Sequence, residues 1–330
     1  MKKLLVILLS LLMVLTLSAC SNNGGSDETD GGDEGSETSE VIRVGVVQLV
    51  QHPALDAATQ GFVDVLTKEF GNDIDIDVQN ASGESANCST IVSGFVNNNV
   101  DLIMANATPA LQAASSATED IPILGTSVTE YGVALGIDNF NGLVGGNVSG
   151  TSDLAPLDQQ AQMILDLFPD TKTVGIVYCS NEANSVYQVN EVKSFLEGKG
   201  VTVVTKSFTD SNDVALVTED VCSQVDVLYI PTDNTAASCS ETIANVVLDK
   251  KVPVIAGEEG ICQSCGVATL SINYYDLGVT TGQMAVKILK GEAKIEDMAI
   301  EYFANPEKKY NPEICELLGV EIPSDFVAIE

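Results

Sequence analysis

The stretch RVGVVQLVQHPALDAATQGFVDVL, residues 43–66, decides the fold. A β-rich apolar run ends in a short polar loop, and a long helical segment follows at once. The run predicts a strand over residues 42–48 and the segment a helix over 54–70. A second copy of the arrangement opens at TVGIVYC, residues 173–179, again followed by a polar loop and a long helix. In that helix Val186, Val189, Val192 and Phe195 fall near helical spacing and mark a buried face.

Working outward, strands are expected at 74–79, 100–105 and 121–124, with helices at 84–97 and 110–117. The rhythm then stalls in NFNGLVGGNVSGTSDLAPLD, residues 139–158, and resumes with a helix at 159–168. Further strands are expected at 201–206, 225–230 and 252–256, and helices at 183–197, 213–224 and 235–249. Strand and helix alternate throughout, which predicts an α/β protein of two doubly wound parallel-sheet lobes. Ligands of such sheets bind beyond the carboxyl ends of the strands. The loops there carry His52, Thr108 and Pro109, and Thr126 and Ser127 in the first half. In the second half they carry Ser180, Glu182 and Asn184, Asp233 and Asn234, and Glu258. Taken singly, Thr108, Ser127 and Asp233 are also ordinary helix caps. Six polar loops at one edge predict a binding site.

The ends of the chain have a different character. Lys2 and Lys3 precede an apolar run from Leu4 to Leu17, too short for a comfortable membrane span and shaped like a secretory signal. The run closes on Leu17-Ser18-Ala19-Cys20, which resembles a bacterial lipobox and implies cleavage after residue 19 and lipid on Cys20. Residues 20–40 carry many acids and no apolar side chain beyond Cys20, so they are expected to form a disordered tether to the membrane. Charge excludes another class of partner. With 15 Lys and Arg against 47 Asp and Glu, the net charge of −32 repels nucleic acid.

Motifs spread along the chain carry a resemblance. GVVQLVQHPALDAATQGF, ANATPALQAA, ILGTSVTEY, VSGTSDLAPLDQQ, PTDNTAAS and GEEGICQSCGVATLSINYYDLG resemble, in order, the ABC-transporter substrate-binding lipoproteins related to tryptophan- and tyrosine-binding proteins. The resemblance implies a type I periplasmic-binding fold with a three-strand hinge. Lobe 1 would be 41–150 plus 273–296 and lobe 2 151–272 plus 297–330, with crossings near 126–150, 272 and 299. It also implies a monomer on the extracytoplasmic face of a bacterial cell membrane, serving an ABC permease.

The chemistry fits binding better than catalysis. His52 is the sole histidine, without a nucleophile or carboxylate at set spacing, and neither GxSxG nor HExxH occurs. No cofactor or metal is called for. Of eight cysteines, Cys262 and Cys265 form a CxxC followed by Gly266 and a strand-like run. A local loop disulfide or free thiols precede zinc, and zinc precedes redox catalysis, among its readings. The single arginine, Arg43, opens a strand at the wrong end for the cleft, which disfavours dicarboxylate and phosphate ligands. A zwitterion fits: Thr108, Thr126 and Ser127 for a carboxylate, and Asp233, Glu258 or Glu259 for an ammonium. His52, Tyr178, Tyr274 or Tyr275 would face an aromatic side chain. A nucleoside or short peptide in the same cleft, or an extracellular redox or zinc protein using Cys262 and Cys265, are the competing functions.

Overall fold

The computed structural model describes residues 41–303 and 306–329. The expected signal and tether lie outside the described residues. The chain begins β1 (Ile42–Gln48), α1 (Pro53–Phe70), β2 (Ile74–Asn80), α2 (Ser85–Asn97), β3 (Leu102–Asn106) and α3 (Thr108–Ala117). It continues through β4 (Ile123–Val128), α4 (Tyr131–Leu135) and β5 (Val148–Ser152). The second lobe holds α5 (Leu157–Leu167), β6 (Thr173–Cys179), α6 (Ala183–Gly198), β7 (Thr202–Phe208) and α7 (Val214–Cys222). It also holds β8 (Val227–Ile230), α8 (Asn234–Ser238), α9 (Ser240–Lys250), β9 (Val254–Ala256), α10 (Glu259–Cys265) and β10 (Ala268–Ser271). The chain then returns through α11 (Tyr274–Leu289) and β11 (Glu301–Tyr302), and ends in β12 (Glu307–Tyr310), α12 (Pro312–Leu318) and β13 (Val327–Ala328).

Two sheets result. The first is parallel in the order β11-β5-β4-β3-β1-β2, with Val44 opposite Leu102 and Ile42 opposite Ile74. The second runs β13-β12-β10-β9-β8-β6-β7, parallel except where β12 meets β10. Helices cover both faces of each sheet, so the central strands are buried on both sides and read as unbroken apolar runs. In the first lobe Phe95, Ile103 and Leu111 fill one face, and Phe62, Leu66 and Met284 the other. In the second, Leu228, Ile243 and Val254 fill one face, and Val192, Leu196 and Tyr229 the other. Each fully buried large apolar side chain contributes about 1.5–3 kcal/mol.

The packing of α1 on α11 positions the ligand edge. A Cβ at Gly61 would collide with the carbonyl of Tyr275, and one at Gly278 with that of Ala58. Without those Cβ atoms the two helices approach backbone to backbone. Their N-termini bring His52 and Tyr274 to the same end of the lobe.

Several expectations need correcting. Residues 139–158 are not simply a stalled loop, since β5 crosses them as a buried strand. Its sequence, VSGTS, lacks an apolar signal because its hydroxyls are satisfied internally, Ser149 by the Met298 carbonyl and Ser152 by that of Thr129. Gly150, at φ +145°, lies so close to the backbone of Gly125 that no Cβ fits. The helix expected over 235–249 is two helices, meeting at Cys239. The first sheet keeps Thr151 and Ser152, and takes β11 from the tail assigned to the second lobe. The crossings therefore follow Ser152, Ser271 and Tyr302.

Candidate functional site

The carboxyl ends of the two sheets face each other across a seam. His52, at the N-cap of α1, meets Asn234 of the second lobe, with Nε2 and Oδ1 3.3 Å apart. Tyr274 donates to Oδ2 of Asp153, in the first crossing, at 3.0 Å. Cavities open on either side. One of about 490 Å³ is lined by Glu84, Pro109, Asn181, Glu182 and Asp210. The other, about 300 Å³, is lined by Pro53, Glu258, Tyr274 and Lys309.

Buried polar atoms nearly always find partners. Among the described residues, seven side-chain atoms do not, and five of them belong to the loops and helix starts at this edge: His52 Nδ1, Thr108 Oγ1, Ser127 Oγ, Asp153 Oδ1 and Asn184 Oδ1. Backbone strain collects here as well. Ala107 and Ser127 hold φ of +93° and +53°, values costly for residues with a Cβ. Ala107 is the N-cap of α3 and offers no capping side chain, so the first-turn N–H groups of that helix have none.

The acids differ sharply in how much bonding capacity they have left. Asp233 caps α8, accepting from Ala236 N at 2.8 Å and from Cys179 N at 2.6 Å. Burial, and then the charge of Glu182, push its carboxyl up to about 7. Glu258 caps α10 through Gly260 N and Ile261 N, and burial pushes it up to about 7 against those two bonds. Glu259 pairs with Lys309 at 2.7 Å. The acids that sequence reasoning chose for a ligand ammonium are thus committed to helix caps or to lysine. Asp153 is different. It is 4% exposed, burial raises its pKa against the hydroxyls of Thr129 and Tyr274, and one oxygen has no partner. Sequence reasoning missed it because it follows a strand hidden in a Gly- and Ser-rich stretch.

Glu182 organises the second-lobe side. Its Oε2 accepts from Asn234 Nδ2 at 2.6 Å, Asn234 N at 3.0 Å and Asn184 Nδ2 at 3.3 Å. Its Oε1 accepts from the N–H and the hydroxyl of Thr235, both at 2.8 Å. Burial lowers the pKa of His52, opposed by its Asn234 bond and by the charges of Glu182 and Asp56.

Of the expected residues, Pro109 and Glu182 line the first cavity, Glu258 and Tyr274 the second, and His52 and Asn234 meet across the seam, while Thr108, Ser127, Asn184 and Asp233 are buried at strand ends and helix starts. Two candidates fall elsewhere. Thr126 is buried within the first lobe, where its hydroxyl bonds those of Thr151 and Thr281. Ser180 is exposed and donates to the Phe208 carbonyl. Of the proposed aromatic faces, Tyr178 packs into the second-lobe core, and Tyr275 is exposed and bonded to Asp64. The CxxC is helical rather than a loop. Cys262 and Cys265 are buried free thiols in the last turn of α10, and burial pushes both well above their ordinary range. That is the opposite of what a reactive thiolate needs. Among the described residues no three His, Cys, Asp or Glu side chains are placed to hold a metal.

Two α/β lobes closed over a seam of unpartnered polar atoms define a bilobal binding protein of the type I periplasmic-binding class. The chain belongs to the ABC transporter substrate-binding protein family, whose model matches residues 43–329. Members are binding proteins, not enzymes. The chain is 34% identical to the tyrosine-binding protein of Clostridioides difficile over 324 residues, 97% of this chain and 93% of the relative. It is similar to a Streptococcus pneumoniae ABC domain solved with L-Trp, at 35% identity and TM-score 0.82, covering 86% of this chain and 96% of that one. It is similar also to a ligand-free, open substrate-binding protein with adhesive properties from Clostridium difficile, at 40% identity and TM-score 0.67, covering 88% and 99%. The open structure is closer in sequence yet more distant in shape. In this structure the two lobes touch across the seam at the His52–Asn234 contact.

Proposed function

We propose that this chain captures a small zwitterion, an aromatic or other hydrophobic amino acid, in the inter-lobe cleft and delivers it to an ABC permease. One observation carries the reading: a closed cleft with unpartnered buried atoms that match an α-amino acid and no arginine. Thr108 Oγ1, Ser127 Oγ and the uncapped N–H groups of α3 supply neutral donors for a carboxylate. The free oxygen of Asp153 supplies the acceptor for an ammonium. Relatives whose names or bound ligands are tyrosine and tryptophan support the ligand class. Lipid on Cys20 and a tether over residues 21–40 would hold this monomeric receptor at the extracytoplasmic face of the cell membrane.

The test is a thermal-shift screen of refolded, ligand-stripped protein against the twenty amino acids and a set of nucleosides. A ligand at a hundred times its Kd adds about 2.7 kcal/mol, roughly a 4–5 °C shift for a chain of this size. Amino acids are expected to shift the transition and nucleosides to leave it in place. A response to nucleosides alone would overturn the ligand class.

A further inference from the structure

We propose that Asn141 is a site of spontaneous chemical modification in the folded chain, where the amide nitrogen of Gly142 closes a succinimide on the side chain and water opens it to aspartate and isoaspartate. The proposal is independent of the amino-acid reading and uses no residue of the cleft. Asn141-Gly142 is the one Asn-Gly step among the described residues, and it lies in the Gly-rich stretch to which the binding function assigns nothing.

Ring closure needs a free nucleophile, an open approach and a carboxamide ready to take on charge. The Gly142 N–H donates to no group among the described residues. Gly142 sits at φ +93° with nothing within 4 Å of where a Cβ would be, so no side chain shields the approach. Asn141 is exposed, and its Nδ2 has no partner among the described residues, so nothing holds the leaving amide. Its Oδ1 accepts from Leu143 N at 3.2 Å. Negative charge builds on that oxygen as Gly142 N adds to Cγ, and a donor already aimed at it lowers the barrier. Asn147, six residues on, shows the protected case. Its Nδ2 donates to the carbonyls of Thr118 and Ile121, and branched Val148 follows it.

The atoms balance with water as the only co-reactant, and nothing is oxidised or reduced. Gly142 N gives its proton to solvent base and bonds to Cγ, and the side-chain amide leaves as ammonia after taking a proton from water. Water then adds to one of the two imide carbonyls. Addition at Cγ gives aspartate. Addition at the main-chain carbonyl gives isoaspartate, whose backbone runs through Cβ and Cγ and is one methylene longer. That methylene falls immediately before Gly142, whose carbonyl accepts from Ile300 N at 2.8 Å. Ile300 is buried in the first-lobe core and leads into β11, the strand before the third crossing. The isoaspartate form therefore loses the bond that pins the approach to β11, and the aspartate form keeps it.

The experiment ages the full chain at mildly alkaline pH, native and in urea, and follows each asparagine by peptide mass spectrometry with enzymatic labelling of isoaspartate. The native chain is expected to convert at Asn141 ahead of every other asparagine between residues 41 and 329, and no more than threefold slower than the unfolded chain. A larger slowing, or another of those asparagines converting first, overturns the proposal. Asn141→Gln should stay unmodified, because its longer side chain closes a less favoured six-membered ring. Asn141→Asp separates charge from chain length. It should melt with the fresh parent, whereas the aged, isoaspartate-bearing parent should melt about 1–2 °C lower, the loss of one hydrogen bond in a chain of this size. An aged parent that carries isoaspartate yet melts with the fresh one would overturn the link to Ile300.

Discussion

Asp153→Asn isolates the charge in the cleft. The side chain keeps its shape, and its amide oxygen still accepts from Tyr274, now at 3.0 Å. The negative charge is lost, along with the lone-pair density that no group here occupies. A charge-assisted hydrogen bond is worth about 1.5–3 kcal/mol, and breaking a buried ion pair costs about 3–5 kcal/mol. A loss near 3 kcal/mol corresponds to about 150-fold in Kd. Without ligand the sign reverses, because burial already disfavours the charged carboxyl. The unliganded variant should melt at the same temperature as the parent or higher. The assay is calorimetric titration with the preferred amino acid and with its deamino analogue. The amino acid should lose the full factor, and the analogue should bind both proteins alike. An Asp153→Asn affinity within threefold of the parent would refute the placement of the ammonium.

The remaining expectations use other parts of the same geometry. Ser127→Ala removes a buried hydroxyl that has no partner in the unliganded closed form, so its melting temperature should hold while ligand Kd rises about 5- to 10-fold by titration. Because the folded pKa of His52 lies below its ordinary 6.5, the neutral ring's contribution is complete above that pH and is lost as pH falls below it toward the lowered value. Stability measured by denaturant unfolding from pH 8 to 5 should therefore decline on the acid side of 6.5 in the parent and do so less in His52→Phe. Gly278→Val drives a side chain into the Ala58 carbonyl and should cost about 2–4 kcal/mol in denaturant unfolding. Replacing Cys262 and Cys265 together by Ala should lower stability but leave ligand Kd unchanged, since both thiols lie in the second-lobe core.

The parallel sheets were legible because their strands are buried on both faces. β1 and β6 announce themselves as runs of Val and Ile, and the helices after them follow directly. β5 was not legible, because its stability comes from hydroxyl-to-carbonyl bonds and a glycine pressed on Gly125, and neither leaves an apolar pattern. The same distinction governs the site. Loop residues could be assigned to the carboxyl ends of the strands by topology, because each loop directly follows its strand. Which acid stays free depends on which carboxylates find backbone N–H groups. Asp233 and Glu258 do, at helix starts three residues from their partners, whereas Asp153 follows a strand and caps nothing. A helix-start rule applied to the sequence would have separated them, had the helix at 259–265 been recognised.

The acids and orphan atoms also bear on why such a receptor closes on its ligand. Each buried polar atom left without a partner costs about 1–3 kcal/mol. Five such atoms line the edge, and the total is comparable to the stability of a whole domain even after discounting for non-additivity. A ligand that partners these atoms therefore has up to that much to gain in the closed form. On the proposed reading an amino-acid zwitterion meets Thr108 and Ser127 on the first lobe with its carboxylate and Asp153 in the crossing with its ammonium. Its differential affinity for the closed form is the sum of those bonds, and only that difference can shift the equilibrium. A molecule that contacts one lobe alone gains nothing from closure, because it has no differential affinity for the closed form. Glu182 takes part in closure from the second-lobe side, because it orients the Asn234 that meets His52 across the seam.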